Sequence, residues 1–380
     1  MTTPYSLTTA LNTHLQQAIH QHGGWIGFDT FMGLALYKPG LGYYANDGAI
    51  FGTMPKGVKG QGSDFVTAPE MSPFFGRALA AQVTQAMLQT QTSEVWEFGA
   101  GSGALASQLL DSLGEQVHTY TIVDVSGSLK ARQQKTLMAH ASKVRWVSEL
   151  PDAFNGVVVG NEVLDAMPVK SLARVNGVWN ERGISLSSVG PASTPASTLN
   201  SPFVWMDRVT DLRPPIEVPG AYDYVTEIHP QAESFVRTLG ERLVRGAVFL
   251  VDYGFPEGEY YHPQRHMGTV MCHRAHLMDA NPLEDLGLKD ITAHVNFTGI
   301  ALAAQDIPDF GVLGYTTQAR FLMNCGLLNL LDGASISERA MAQKLIMEHE
   351  MGELFKVIGF FKGQPWDAMG FVQGDRTHTL

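Results

Sequence analysis

Cysteine is almost absent from this 380-residue chain: Cys272 and Cys325 are the only two. Neither lies in a CxxC pair or in a His/Cys spacing suited to zinc, and both sit in apolar surroundings. The expected state is two buried, reduced thiols. No HExxH pair occurs among the 13 histidines, and no metal site is expected. No apolar run approaches the roughly 18 residues that span a bilayer, which excludes membrane insertion by a helix. The first residues carry neither a basic-then-apolar signal nor an Arg-rich presequence, so the expected location is cytoplasmic. A basic stripe is also missing. With a formal net charge of −11 and no Lys/Arg cluster, nucleic acid is not an expected partner. The acidic surface suits a cationic one.

What is present is apolar material for a sizeable core: 44% hydrophobic residues against 17% charged. Residues 7–22 carry Leu7, Leu11, Leu15, Ala18 and Ile19 at helical spacing. A second helix is expected from Phe28-Asp29, with Asp29 as N-cap, to Lys38-Pro39-Gly40. Residues 40–70 are rich in Gly and aromatics and read as a loop; Ser72-Pro73 then opens a helix to about Gln89. Short apolar runs and helical patterns alternate from there. Strands are predicted at 95–98, 120–123, 144–147, 157–160 and 247–251, and helices at 103–113, 127–140 and 231–244. This βαβ rhythm predicts an α/β fold with a doubly wound, mostly parallel sheet. The segments 354–361 and 369–372 are expected to complete the sheet as a hairpin. Two stretches break the rhythm. One is a predicted hairpin at 169–175 and 178–186, turning at Asn176-Gly177, followed by a Ser/Pro/Thr-rich surface loop at 187–202. The other, 255–350, reads as largely helical toward its end.

The first strand runs into Glu97-Phe98-Gly99-Ala100-Gly101-Ser102-Gly103, which opens a helix. Glycine there allows a tight turn and close approach of a cofactor to the backbone. The glycines alone do not separate S-adenosylmethionine (SAM) from NAD, because Gly99, Gly101 and Ala104 also satisfy the dinucleotide fingerprint. Glu97 tilts the reading to SAM: a carboxylate there serves the ammonium of a methionine and repels a pyrophosphate. Asp124, ending the next strand, is placed to accept ribose hydroxyls. After the third strand, Glu149 or the main chain at Leu150 is placed to meet an adenine amino group.

The fourth strand ends in Asn161-Glu162-Val163-Leu164-Asp165-Ala166-Met167-Pro168. Asn161, Glu162 and Asp165 would stand beside a reactive sulfonium, and paired acids suit a guanidinium, whose pKa exceeds 12. A base N-methyltransferase would show Asn/Asp-Pro-Pro-Tyr/Phe here instead. Asp252-Tyr253-Gly254 and Thr226-Glu227-Ile228-His229-Pro230 are expected to line the acceptor cleft, His229 as a packed or capping side chain.

These motifs resemble the MidA family of SAM-dependent methyltransferases. The likeness covers nearly the whole chain: Leu41-Gly42-Tyr43-Tyr44, Gly62 to Glu70, Glu97 to Leu105, Asn161 to Val169, Glu227 to Pro230 and Val251 to Gly254. It implies a class I, Rossmann-like methyltransferase with an N-terminal helical extension and inserted elements, a bacterial relative of a mitochondrial complex I assembly factor. The implied division is a helical extension with a cofactor-covering loop at 1–92 and a core at 93–380, with insertions at about 168–225 and 255–350. The resemblance also implies arginine methylation of a protein such as a respiratory complex I subunit. Thr67, Pro69 and Glu70 would then lie near the cofactor with Gly99, Gly101, Asp124 and Asn161, while Asn161, Glu162 and Asp165 form the reaction centre. Relatives tend to show Asp-Val-Asp-Phe where this chain has His294-Val295-Asn296-Phe297, a loss of two acids. Two other readings stand beside this one: an NAD-dependent oxidoreductase, and a SAM-binding assembly factor without catalysis.

Overall fold

A computed structural model describes residues 4–46, 67–124, 126–187, 201–274 and 277–380. Most of the Gly62–Glu70 motif (residues 62–66) and most of the 187–202 tract (188–200) lie outside the described residues. The chain forms two compact units. One gathers Met1–Ile50, Ala166–Gln231 and Glu257–His294; the other gathers Phe51–Asp165, Ala232–Pro256 and Val295–Leu380. This grouping differs from a division at residue 92. The helix Phe74–Thr90 buries Phe75, Leu79, Val83 and Ala86 in the same core as the central sheet, so it belongs with that sheet.

In the second unit the sheet runs, edge to edge, Phe310–Thr317, Phe355–Lys362, Leu243–Phe255, Phe154–Asn161, Glu94–Phe98, Thr119–Val123, Val144–Val147. The last five are mutually parallel, while Phe355–Lys362 is antiparallel to both of its neighbours. The expected partner of 354–361 is corrected. Met369–Phe371 is a 3-10 turn, and the pairing strand is Phe310–Thr317, inside the stretch read as helical. The central strands are apolar almost throughout because helices cover both faces. Phe74–Thr90 and Ala104–Leu113 share a core with Val157, Val159 and Phe249. On the opposite face, Phe98 meets Phe235 of the helix Pro230–Arg242 at 5.0 Å, ring to ring.

The helix Ala104–Leu113 starts without a side-chain cap, on Gly103 in the left-handed region. A cap is worth about 1 kcal/mol. The buried stripe of Leu105, Leu109, Leu110 and Leu113 contributes about 1.5–3 kcal/mol per leucine, so packing decides this helix.

The first unit holds Pro4–Gln21, Phe28–Tyr37 and a five-stranded antiparallel sheet. The predicted hairpin is present as Lys170–Val175 and Val178–Leu186, with Asn176 and Gly177 both at positive φ (49° and 79°), as a type I′ turn requires. Asp29 is not the N-cap. Gly27 holds that position, and Asp29 sits in the first turn, paired with Lys170 at 3.0 Å. Both cysteines are buried free thiols, pushed up to about 12 by burial and therefore unreactive.

The strands Phe154–Asn161 and Leu243–Phe255 approach closely at one point. A Cβ on Gly246, whose φ is +154°, would stand 1.8 Å from the Gly156 carbonyl oxygen. Gly246→Ala is predicted to destabilise the fold by about 1–3 kcal/mol through forced overpacking. Chemical denaturation reads this directly, and an unchanged midpoint would contradict it.

Candidate functional site

Chain order reverses between Glu94–Phe98 and Phe154–Asn161, which sit side by side although two strands and two α-helices separate them in sequence. In open α/β sheets the crevice at such a switch point, beyond the carboxyl ends of the strands, is where ligands bind. Both sequence motifs fall there.

The glycine turn has Gly99, Gly101 and Gly103 at φ of +65°, +52° and +86°, a conformation that side chains disfavour. A Cβ at Gly99 would also lie 2.9 Å from Val163 Cγ2 and 4.0 Å from the Asn161 carbonyl oxygen. The turn and the acidic loop are therefore in contact. Below the turn, Glu97 is 1% exposed and accepts a 2.8 Å hydrogen bond from the Tyr120 hydroxyl. Burial pushes its pKa up to about 8, the Tyr120 hydroxyl pulling down and the charge of Asp124 adding upward. The carboxylate expected to serve a methionine ammonium thus sits beneath the turn, held by Tyr120. Glu70 is on the short helix Ala68–Met71 and receives the Ser102 hydroxyl; Pro69 O receives Gln108 Nε2 at 2.7 Å. The segment bearing Thr67, Pro69 and Glu70 is thus tied to the glycine turn and to the helix that follows it.

Asp124 stands at the end of Thr119–Val123. Its Oδ1 accepts Ser126 N–H at 2.8 Å and its Oδ2 accepts Gln133 Nε2 at 2.9 Å. Glu149 is exposed beyond Val144–Val147, and the Leu150 carbonyl accepts from Arg242 at 2.6 Å.

The acidic loop is folded around one side chain. Asp252 Oδ2 accepts the N–H groups of Val163, Leu164 and Asp165 at 3.0, 2.8 and 3.3 Å, and Oδ1 accepts Tyr253 N–H at 2.9 Å. Asp252 is 1% exposed. Burial first, then the Asp165 and Glu162 carboxylates, push its pKa well up, with the Leu164 and Tyr253 N–H groups opposing. Glu162 takes the left-handed φ of +54°, rare for a side-chain-bearing residue, and its N–H bonds Val251 O at 2.8 Å. Its carboxylate accepts Asn161 Nδ2 at 2.9 Å. Asn161 Oδ1 is buried with no hydrogen-bond partner among the described residues. An orphaned acceptor beside a turn lined by glycine fits a ligand donor, as a SAM site requires.

A family of SAM-dependent methyltransferases matches residues 77–316. A crystal structure from Burkholderia thailandensis with S-adenosyl-homocysteine bound is 44% identical to the chain, covers 99% of it and 98% of its own length, and superposes with a TM-score of 0.90. The chain belongs to the MidA family of SAM-dependent methyltransferases. Its cofactor is SAM, and the NAD reading is set aside. Curated relatives include the mitochondrial protein arginine methyltransferase NDUFAF7 of Danio rerio, 26% identical over 92% of this chain and 86% of that one. The Caenorhabditis elegans homolog is 24% identical over 87% and 82%.

The structure also places the other residues singled out in the sequence of this MidA-family methyltransferase. Asp252 turns its carboxylate into the acidic loop. In the first unit, Glu227 is 1% exposed, and its oxygens accept from Thr269 and the Tyr260 hydroxyl. His229 is packed, bonded through Nε2 to His294 O at 2.9 Å, and lowered to about 4 by burial, so it is neutral at neutral pH. Asn296, where relatives tend to have an acid, caps the helix Phe297–Gln305 by accepting Gly299 N–H. No helix among the described residues is long and apolar enough to cross a membrane.

Two measurements follow. Asn at position 252 has one acceptor oxygen and must turn an NH₂ toward an N–H donor. Asp252→Asn is therefore expected to cost about 1–3 kcal/mol of stability and loosen the loop; an unchanged denaturation midpoint would contradict this. For Glu97, the folded pKa of about 8 exceeds its ordinary 4.5, so its contribution is fully present below pH 4.5 and is lost as pH rises through about 8. Glu97→Gln lacks that titration. Its melting temperature should climb relative to the parent between about pH 5 and pH 9, and a constant gap would refute the assignment.

Proposed function

We propose that this methyltransferase transfers methyl groups to the guanidinium of arginine in a protein acceptor. One observation carries the proposal: the acidic loop of Asn161, Glu162 and Asp165 abuts the glycine turn at the carboxyl edge of the sheet, Val163 standing 2.9 Å from where a Gly99 Cβ would be. Gly99 and Gly101 hold the methionine end of the cofactor against bare backbone. Asp124 takes the ribose hydroxyls, and the Glu149-Leu150 segment meets the adenine edge. Thr67, Pro69 and Glu70 cover the cofactor, and Asn161 Oδ1 takes one of its donors. When bound, SAM supplies an electrophilic methyl group on a sulfonium.

The acidic residues do the rest. An arginine presents five donors and stays charged below pH 12, so it is recognised through paired carboxylates. Glu162 and Asp165 orient its nitrogen in line with the methyl group and accept the proton released as the new N–C bond forms. Holding nucleophile and carbon in line provides a share of the roughly 7–11 kcal/mol that proximity can supply. The formal charge of −11 favours a cationic acceptor. The curated relatives, named as protein arginine methyltransferases, support the same substrate class, and the family resemblance points to a respiratory-complex subunit.

Labelled SAM, the purified protein and a cell lysate test this. Methyl groups should map to arginine in a protein; label only on carboxylates or small molecules would overturn the claim. Glu162→Gln and Asp165→Asn are each expected to lower kcat by about 100-fold or more while leaving S-adenosyl-homocysteine affinity within about threefold. Full activity in both variants would remove the acids from the mechanism, whereas SAM binding with no methyl transfer by the parent itself would favour an assembly factor without catalysis.

A further inference from the structure

Gln133 is on the second turn of the helix Gly127–Thr136, is fully buried, and belongs to none of the motifs that mark the site. Its amide has three partners. Nε2 donates to Asp124 Oδ2 at 2.9 Å and to the Gly101 carbonyl at 3.1 Å, while Oε1 accepts the Trp146 indole N–H at 2.9 Å. The three fit one orientation only. Trp146 can only donate, so Oε1 must face it, and the NH₂ then faces two acceptors. A flipped amide would oppose donor to donor at Trp146 and acceptor to acceptor at Asp124 and Gly101. One side chain therefore joins the ends of three elements: the glycine turn after the first parallel strand, Asp124 after the second, and Trp146 on the third.

We infer that Gln133 is a positioning residue for nucleoside binding: it fixes the Asp124 carboxylate relative to the glycine turn, and Trp146 fixes Gln133. The inference rests on the reading of Asp124 as the acceptor of ribose hydroxyls. Asp124 Oδ1 is oriented by Ser126 N–H and Oδ2 by Gln133, so the carboxylate plane is set before a ligand arrives. Without Gln133 the Asp124 side chain regains rotamer freedom, and Gly101 O loses the bond that ties the turn to it. The cofactor then meets a site it must order itself. The hydrogen bond to the carboxylate is charge-assisted, a kind worth more than a neutral pair.

The test is a cycle between protein and ligand. Binding of S-adenosyl-homocysteine and of its 2′,3′-dideoxy analogue is measured by calorimetry for the parent, Gln133→Leu and Trp146→Phe, with a melting temperature for each. In the parent, the dideoxy analogue should bind more weakly. Gln133→Leu should weaken S-adenosyl-homocysteine by about 10- to 100-fold and the dideoxy analogue by less than about threefold, because the analogue has no hydroxyls for Asp124 to hold. Trp146→Phe, which keeps the amide but removes the donor that orients it, should show the same selectivity at smaller size and serves if Gln133→Leu does not fold. An equal loss for both ligands in these variants would make Gln133 a merely structural residue and overturn the inference. A parent that binds both ligands equally would overturn it along with the role of Asp124. A parent that binds neither would strike at the proposed function itself.

Discussion

The candidate reaction centre depends on where three backbone N–H groups go. Val163, Leu164 and Asp165 all direct them at Asp252 Oδ2, and through that convergence the loop leaves its strand in a tight arc. Three donors on one buried oxygen make a strong anchor. The arc also forces Glu162 into the left-handed region, a strained conformation kept only where surrounding structure over-determines it. That strain turns the Asn161 and Glu162 side chains toward each other at the sheet edge. The cost of gathering three carboxylates is paid within the same group, where burial and like charge raise the Asp252 pKa.

A second constraint sits across the switch point. The glycine turn cannot carry side chains, because φ is positive at Gly99, Gly101 and Gly103 and because Val163 occupies the space a Gly99 Cβ would need. Bare backbone on one side and ordered acids on the other is an arrangement suited to a cofactor whose reactive centre is a cation and whose acceptor is another. Ser102, Glu70, Gln108, Gln133 and Trp146 hold the glycine turn and the Ala68–Met71 segment from behind through hydrogen bonds.

Much of this was legible in the sequence. The five parallel strands and the helices between them follow from alternating apolar runs and helical periodicity, and Asn176-Gly177 announces its hairpin outright. The glycine turn and the Asn161–Pro168 block are local strings, so their elements and edge could be named in advance. What stayed hidden depends on distant partners. Nothing near Asp252 says that its carboxylate will meet N–H groups some 88 positions earlier in the chain. Gln133 looks like one more polar residue on an amphipathic helix until Trp146 and Asp124 are placed around it. The burial of Glu97 was hidden because Tyr120, its partner, appears in sequence as an ordinary apolar strand residue. Phe310–Thr317 has the Val, Tyr and Thr of a strand, but helices on either side led that stretch to be read as helical, and Met369–Phe371 took its place in the expected hairpin.

A crystal structure of this protein with S-adenosyl-homocysteine bound tests the central claim most directly, through the position of the homocysteine sulfur. The account predicts that the sulfur lies beside Asn161, facing Glu162 and Asp165, with the ribose hydroxyls on Asp124. A sulfur turned away from the 161–165 loop, or ribose hydroxyls bonded elsewhere, would contradict it.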